Sequence, residues 1–169
     1  MALGLHIFQP LVKFREMLSE STSLRTLFGV ANANDALAKI GYGYAEDDEY
    51  QFEDVAKQPK SVPRALVALE DFNSSKGTTS SWGTTVELTL LIEAKTLDAD
   101  QAKSLSERYA SFLSRIEGVC DDVRNLAASG TRLNITNIRT VIAPQRADMK
   151  DTDNNEERWW TVLLVEAGG

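Results

Sequence analysis

LDADQAKSLSERYASFLSRIEGVCDDVRNLAASG, residues 97–130, carries one apolar stripe along its whole length. Ala102, Leu105, Tyr109, Phe112, Ile116, Val119, Val123 and Leu126 recur at spacings of three and four, which stacks side chains along one side of an α-helix. Asp98 with Gln101 offers a capped start, and Ser129-Gly130 offers a residue free to turn left-handed at the end. A narrow stripe would suit a coiled coil, but Leu113, Cys120 and Ala127 widen this one on a single side. Arg108, Arg115 and Asp122 border the other side, while Lys103, Glu107, Ser111, Ser114, Glu117 and Asp121 fill the outer face. So broad a face predicts a helix laid across a sheet, not a two-helix seam. Gly118, in mid-helix, costs about 1 kcal/mol relative to alanine and predicts a kink or a close approach there.

Strand patterns flank this helix on both sides. Upstream, Ala65 to Leu69 is a short apolar run closed by Glu70-Asp71. Val86, Leu88, Leu90 and Ile92 alternate with Thr85, Glu87, Thr89 and Leu91, predicting a strand with one core face. The turn-rich segment Phe72–Gly83 between the two reads as a hairpin connection. Downstream, Leu133 and Ile135 share one parity and Ile138 and Ile142 the other, which predicts a bulge near Thr136-Asn137. WWTVLLV, residues 159–165, is a continuous apolar run of strand length, and its adjacent tryptophans must point to opposite faces.

The N-terminal third reads as helix and loop. Ile7, Leu11, Phe14 and Leu18 form a one-sided stripe, with Pro10 tolerable close to the helix start. Ser21-Thr22-Ser23 caps a short turn carrying Leu24, Leu27 and Phe28, which Gly29 ends. Asn32, Asn34 and Asp35 read as a loop, and Ile40, Gly41, Tyr42, Gly43 and Tyr44 alternate as a short edge strand would. The sum is an α+β domain over residues 1–169: a small antiparallel or mixed sheet of four to five strands, one face covered by the long helix, plus an N-terminal helix. Long polar loops are expected near residues 45–63 and 143–157.

Composition narrows the function. A length of 169 residues with 43% hydrophobic content suits one well-filled core. The net charge of −7 argues against sequence-independent nucleic-acid binding, which needs cations to neutralise phosphates. Lys13, Arg15 and Glu16 interrupt any apolar leader and no apolar run reaches membrane-spanning length, so a cytoplasmic protein without a membrane role is expected. Cys120 is the single cysteine, which excludes an internal disulfide and suits a reducing compartment.

Tests for chemistry come out negative. His6, the one histidine, lies near the terminus, and Cys120 sits on the apolar side of a helix with no histidine nearby in sequence. Lys76-Gly77-Thr78 has the wrong order for a phosphate loop. Asp151, Asp153 and Asn155 begin like a calcium loop, yet Glu156 stands where the sharp turn needs glycine and Val162 where the closing glutamate belongs. The run from Glu46 to Asp54 holds six acids and no base; a solvated loop is the simpler reading, and a carboxylate- or metal-dependent enzyme is the competing one. No catalytic, metal or cofactor-binding residue is assigned. Aromatic and charged residues outside the expected core are candidates for an interface: Tyr44, Glu46, Asp47, Asp48, Glu49, Tyr50, Phe52, Phe72, Lys76, Trp82, Arg146, Asp148, Asp151, Asp153 and Trp159.

In order, LVKFREML (11–18), LRTLFGV (24–30), a long variable loop, VPRALVALED (62–71), TVELTLLIEA (85–94), one long helix and two closing strands ending in RWWTVLLVEA (158–167) resemble the tail terminator, or tail completion, proteins of long-tailed bacteriophages. The resemblance lies in element order and character, and it transfers no signature motif. It implies a structural virion protein, not an enzyme, assembled in the host cytoplasm as a homohexameric ring at the head-proximal end of the tail tube. Such a ring ends tube polymerisation and offers a docking surface to the neck. Its partners would be its own copies, the tail tube protein and a neck or connector protein, with DNA passing through the lumen unbound. A head-to-tail neck completion protein is the alternative within the same class.

Overall fold

Ser104 starts the long helix. Its hydroxyl accepts the Glu107 amide at 3.4 Å while the Glu107 carboxylate accepts the Ser104 amide at 3.2 Å, a reciprocal capping box. The computed structural model describes residues 2–43, 61–76, 82–129, 133–147 and 157–168, with the backbone alone at 2–8, 72–76 and 82–84. Its helices are α1 (Ala2–Glu20), α2 (Thr22–Phe28), α3 (Ala33–Leu37) and α4 (Leu105–Ala128); its strands are β1 (Ile40–Tyr42), β2 (Arg64–Lys76), β3 (Trp82–Lys95), β4 (Asn134–Arg146) and β5 (Arg158–Gly168). The helix was expected from residue 97, capped by Asp98 and Gln101. Instead Asp98–Asp100 forms a separate 3-10 turn, because Asp100 is drawn into the interior, 4% exposed, by Lys103 and Ser111.

The 24 residues of α4 extend about 36 Å at ~1.5 Å per residue. Phe112, Ile116, Val119 and Val123 are buried, and Cys120, Leu126 and Ala127 pack beside them, so the broad face does lie under the sheet. Burying those four apolar side chains is worth roughly 6–12 kcal/mol gross, at ~1.5–3 kcal/mol each. The stripe stops short of the N-terminal end: Leu105 and Tyr109 are 48% and 37% exposed.

The sheet is mixed, in the order β1-β2-β3-β5-β4, with β1 parallel to β2 and every other pair antiparallel. Val86, Leu88, Leu90, Ile92 and Ala94 of β3 face the helices together with Ala65 and Val67 of β2 and Leu163, Val165 and Ala167 of β5. The end expected for β2 at Glu70-Asp71 is only a bulge between Leu69 and Asp71; the ladder resumes and runs to Lys76, paired with Trp82. Most of the turn-rich segment is therefore strand, its backbone held by hydrogen bonds that β3 supplies regardless of side-chain propensity. The phase change in β4 is a register shift between Ile135 and Asn137, as its sequence predicts, and two more shifts follow, at Thr140/Ile142 and Ile142/Gln145. The strand reaches Arg146, so the polar connection expected from residue 143 begins later.

Helix α1 begins at Ala2 and contains Pro10, well before the start expected beside that proline. Leu11, Phe14, Met17 and Leu18 point into the core at 1% exposure or less. Ser21 caps α2, accepting the Leu24 amide at 3.1 Å, and Gly29 closes it at φ 67, a left-handed conformation suited to glycine. Residues expected as loop after Gly29 instead form α3, where Asn32 accepts the Asp35 amide at 2.9 Å. Helices α2 and α4 meet closely: a Cβ on Gly118 would stand 2.7 Å from Ser23 Oγ. Among the described residues no helix is long and apolar enough to cross a membrane.

Candidate functional site

A polar cluster forms where β3 ends, β5 begins and α4 starts. Glu157 is its centre. Arg108 of α4 grips the carboxylate with two parallel bonds, Nε to Oε2 at 2.7 Å and Nη2 to Oε1 at 3.1 Å, and Arg146 of β4 adds its Nε to Oε1 at 2.9 Å. Thr96 donates its hydroxyl to Oε2 at 2.6 Å and accepts the indole N–H of Trp159 at 2.9 Å. Burial raises the Glu157 pKa, but the Arg108 and Thr96 hydrogen bonds and the two guanidinium charges outweigh it and hold the carboxyl below its usual range. The bond to Glu157 raises the Arg108 pKa in turn. Asp100 lies on the neighbouring turn, bound by Lys103 Nζ at 2.7 Å and Ser111 Oγ at 2.7 Å, with Arg115 at 3.5 Å. The Lys103 bond leads in lowering its pKa, against the opposing effect of burial.

Both carboxylates are thus ionised and fully engaged near neutral pH. A base held this way cannot take up a proton without breaking several bonds. The cluster acts as a clamp that fixes the start of α4 to β5.

The second feature is a groove of about 420 Å³ between α4 and β4. Buried or half-buried Leu113, Ile116, Cys120, Ile138 and Leu163 form its floor, and exposed Glu117, Asp121, Arg124, Arg139 and Thr140 form its rim. Beside it, Val141 and Ile142 of β4 are 51% and 38% exposed. Burial is the main reason the Cys120 thiol has a raised pKa, so it rests protonated in the groove floor as a small apolar group. Among the described residues no three His, Cys, Asp or Glu side chains converge as a metal site requires. An apolar floor, a charged rim and an exposed edge strand are the makings of a surface that binds another macromolecule.

The interface candidates read from the sequence are distributed unevenly. Tyr44, Glu46, Asp47, Asp48, Glu49, Tyr50, Phe52, Asp148, Asp151 and Asp153 lie outside the described residues. Phe72 and Lys76 are register positions on β2, opposite Val86 and Trp82 of β3, and Trp82 is thereby placed as well. Arg146 joins the clamp. Trp159 belongs to the core of the domain, not to its surface: it is 3% exposed, stacks on Phe112 at 6.1 Å and receives the edge of Tyr109 at 6.0 Å. Register explains this, since Trp159 pairs with Ala94 on the helix-covered face and Trp160 pairs with Glu93 on the other. Sequence reasoning missed Arg108, Glu157, Thr96, Asp100 and Arg139. The signal for Arg108 lay in its place on the border of the apolar stripe, but its partner is 49 residues away.

Neither the scan against protein-family models nor the search of curated proteins gives a match to this chain.

Proposed function

We propose that this protein is a tail terminator of a long-tailed bacteriophage. It would assemble as a hexameric ring on the head-proximal end of the tail tube, stop tube growth and present a docking surface to the neck. The observation that carries the reading is the order of the elements: an N-terminal helix, two short capped helices, a short edge strand, a β-hairpin, one long helix and a closing strand pair, the strands joined in a single mixed sheet with α4 packed in its core. That is the order and character on which the resemblance to tail terminators rests. The groove and the exposed β4 edge add support, because a protein that works by assembly needs surface of this kind.

The mechanism is geometric. Each subunit matches the last tube ring on one side and fails to offer the next docking surface on the other, so growth stops by mismatch. An overall charge of −7 keeps passing DNA from adhering to the ring. The test combines light-scattering mass at rising concentration, electron imaging of any oligomer, and growth of purified tail tubes with the protein added. Ring-shaped oligomers or arrested tubes are expected. A protein that stays monomeric throughout and leaves tube growth unchanged would sink the reading.

A further inference from the structure

Strand β4 ends the sheet, so among the described residues no strand pairs with its outer side. A free edge of 13 residues is a template on which a strand of another chain can pair. This one is interrupted three times. Ile135 and Asn137 meet the adjacent Ala167 and Glu166, which leaves Thr136 extra, and Thr140 and Ile142 meet Leu163 and Val162, which leaves Val141 extra. Ile142 and Gln145 meet Val162 and Trp160, so Ala143 and Pro144 together stand opposite Thr161. The longest run of one-to-one pairing is therefore Asn137–Thr140, four residues, shorter than an ordinary strand of about five or six. Side chains hold two of the interruptions in place. At the first, Thr136 donates its hydroxyl to the Glu166 carbonyl at 3.1 Å. At the third, Thr161 donates to the Ile142 carbonyl at 2.7 Å and Gln145 Nε2 to the Ala143 carbonyl at 3.2 Å, while Pro144 brings no N–H at all. Thr161 is 0% exposed in a strand of mostly apolar residues. A valine would fill the same space, so what threonine adds there is its bond to the bulge.

We propose that these bulges and the hydroxyls that pin them close the β4 edge: they keep its backbone from accepting a strand of a second copy of this chain. An incoming strand needs outward N–H and C=O groups in regular alternation, and each extra residue breaks that alternation. The same bulges turn a backbone edge into a side-chain surface. Val141, the extra residue of the second one, is carried to 51% exposure, so whatever meets this side of the domain meets side chains. The proposal does not depend on the tail-terminator reading, because it concerns how β4 meets another copy inside a ring or outside one.

Deleting Val141 and Pro144 tests this. It keeps every observed β4–β5 pair and joins what remains of Asn137–Arg146, eight residues, into one paired run. Circular dichroism and urea unfolding establish that the variant folds. Light scattering and thioflavin fluorescence then follow association against concentration, and hydrogen exchange reads the β4 amides that β5 does not engage. The deletion chain should associate at about a tenth or less of the concentration that wild type needs, with a thioflavin signal and slowed exchange in β4. Losing the apolar Val141 works against association, so a gain belongs to the ladder. In wild type the same β4 amides should exchange at one rate at every concentration, whether or not the chain assembles. A folded deletion chain that associates no more readily than wild type would overturn the proposal. So would wild-type β4 amides that become protected as concentration rises, and that readout stands even where the deletion chain fails to fold.

Discussion

Replacing Gly118 with alanine places two known effects in opposition. In a helix interior the change is worth about 1 kcal/mol in favour of the fold, through lower backbone entropy in the unfolded chain. Against this, the new methyl would lie 2.7 Å from Ser23 Oγ and 3.2 Å from Ser23 Cβ. The hydroxyl can rotate away, but it then gives up its hydrogen bond to Asp122, whose carboxylate also accepts the Ser21 hydroxyl at 2.8 Å and the Ser23 amide at 2.9 Å. The Cβ contact persists in any rotamer. Overpacking of this kind costs about 1–3 kcal/mol, so Gly118→Ala alone should be neutral to destabilising by about 2 kcal/mol. In a Ser23→Gly background both contacts vanish, and the same change should stabilise by about 1 kcal/mol. The assay is urea unfolding of the four proteins of the cycle, compared at unchanged slope. A coupling energy of about 1–3 kcal/mol is expected. Stabilisation by Gly118→Ala of similar size in both backgrounds would refute the claim that α2 and α4 meet at this glycine.

Other predictions follow from the caps, the clamp and the thiol. Ser104→Ala removes the capping box of α4 and should cost about 1 kcal/mol in urea unfolding, with α4 still formed by circular dichroism. Glu157→Gln strips Arg108 and Arg146 of their shared counter-charge and should cost about 1–3 kcal/mol by the same measurement. The Glu157, Asp100 and Asp122 pKa values are all lower in the fold than in the unfolded chain. Their contribution to stability is therefore complete above the ordinary carboxylate pKa and is lost as pH falls through the folded values. Wild-type urea midpoints should drop on acidification in that range, and Glu157→Gln should show a shallower drop. Cys120, half-buried with a raised pKa, should react with a thiol reagent at pH 8 far more slowly in the native protein than in urea.

Local patterns in the chain were sufficient to specify several elements. The three-and-four spacing from Phe112 to Val123, the alternation from Val86 to Ile92 and the apolar run after Trp159 each have one economical way to bury their side chains, and the structure adopts it. The β4 bulge near Thr136-Asn137 and the Gly29 cap were legible for the same reason, since a parity change and a left-handed residue are local signals. The close approach at Gly118 was legible only as an anomaly, a glycine where the helix alone would favour alanine.

Other features depend on partners distant in the chain, and tertiary structure alone decided them. Asp98–Asp100 left the helix because Asp100 found Ser111 and Arg115 across a turn. Phe72–Lys76 became strand because β3 supplied a ladder that its turn-forming residues could not predict. Which tryptophan went inside depended on the register of β5 against β3, where a slip of one residue would exchange Trp159 for Trp160. The Glu157 clamp joins Thr96, Arg108 and Arg146, and the α4–β4 groove exists because α4 lies across the sheet and leaves the side facing β4 open. Secondary structure follows from periodicity that a few neighbouring residues can express. A surface that brings Leu113 of a helix to Ile138 of a strand follows from packing, and no local pattern encodes it.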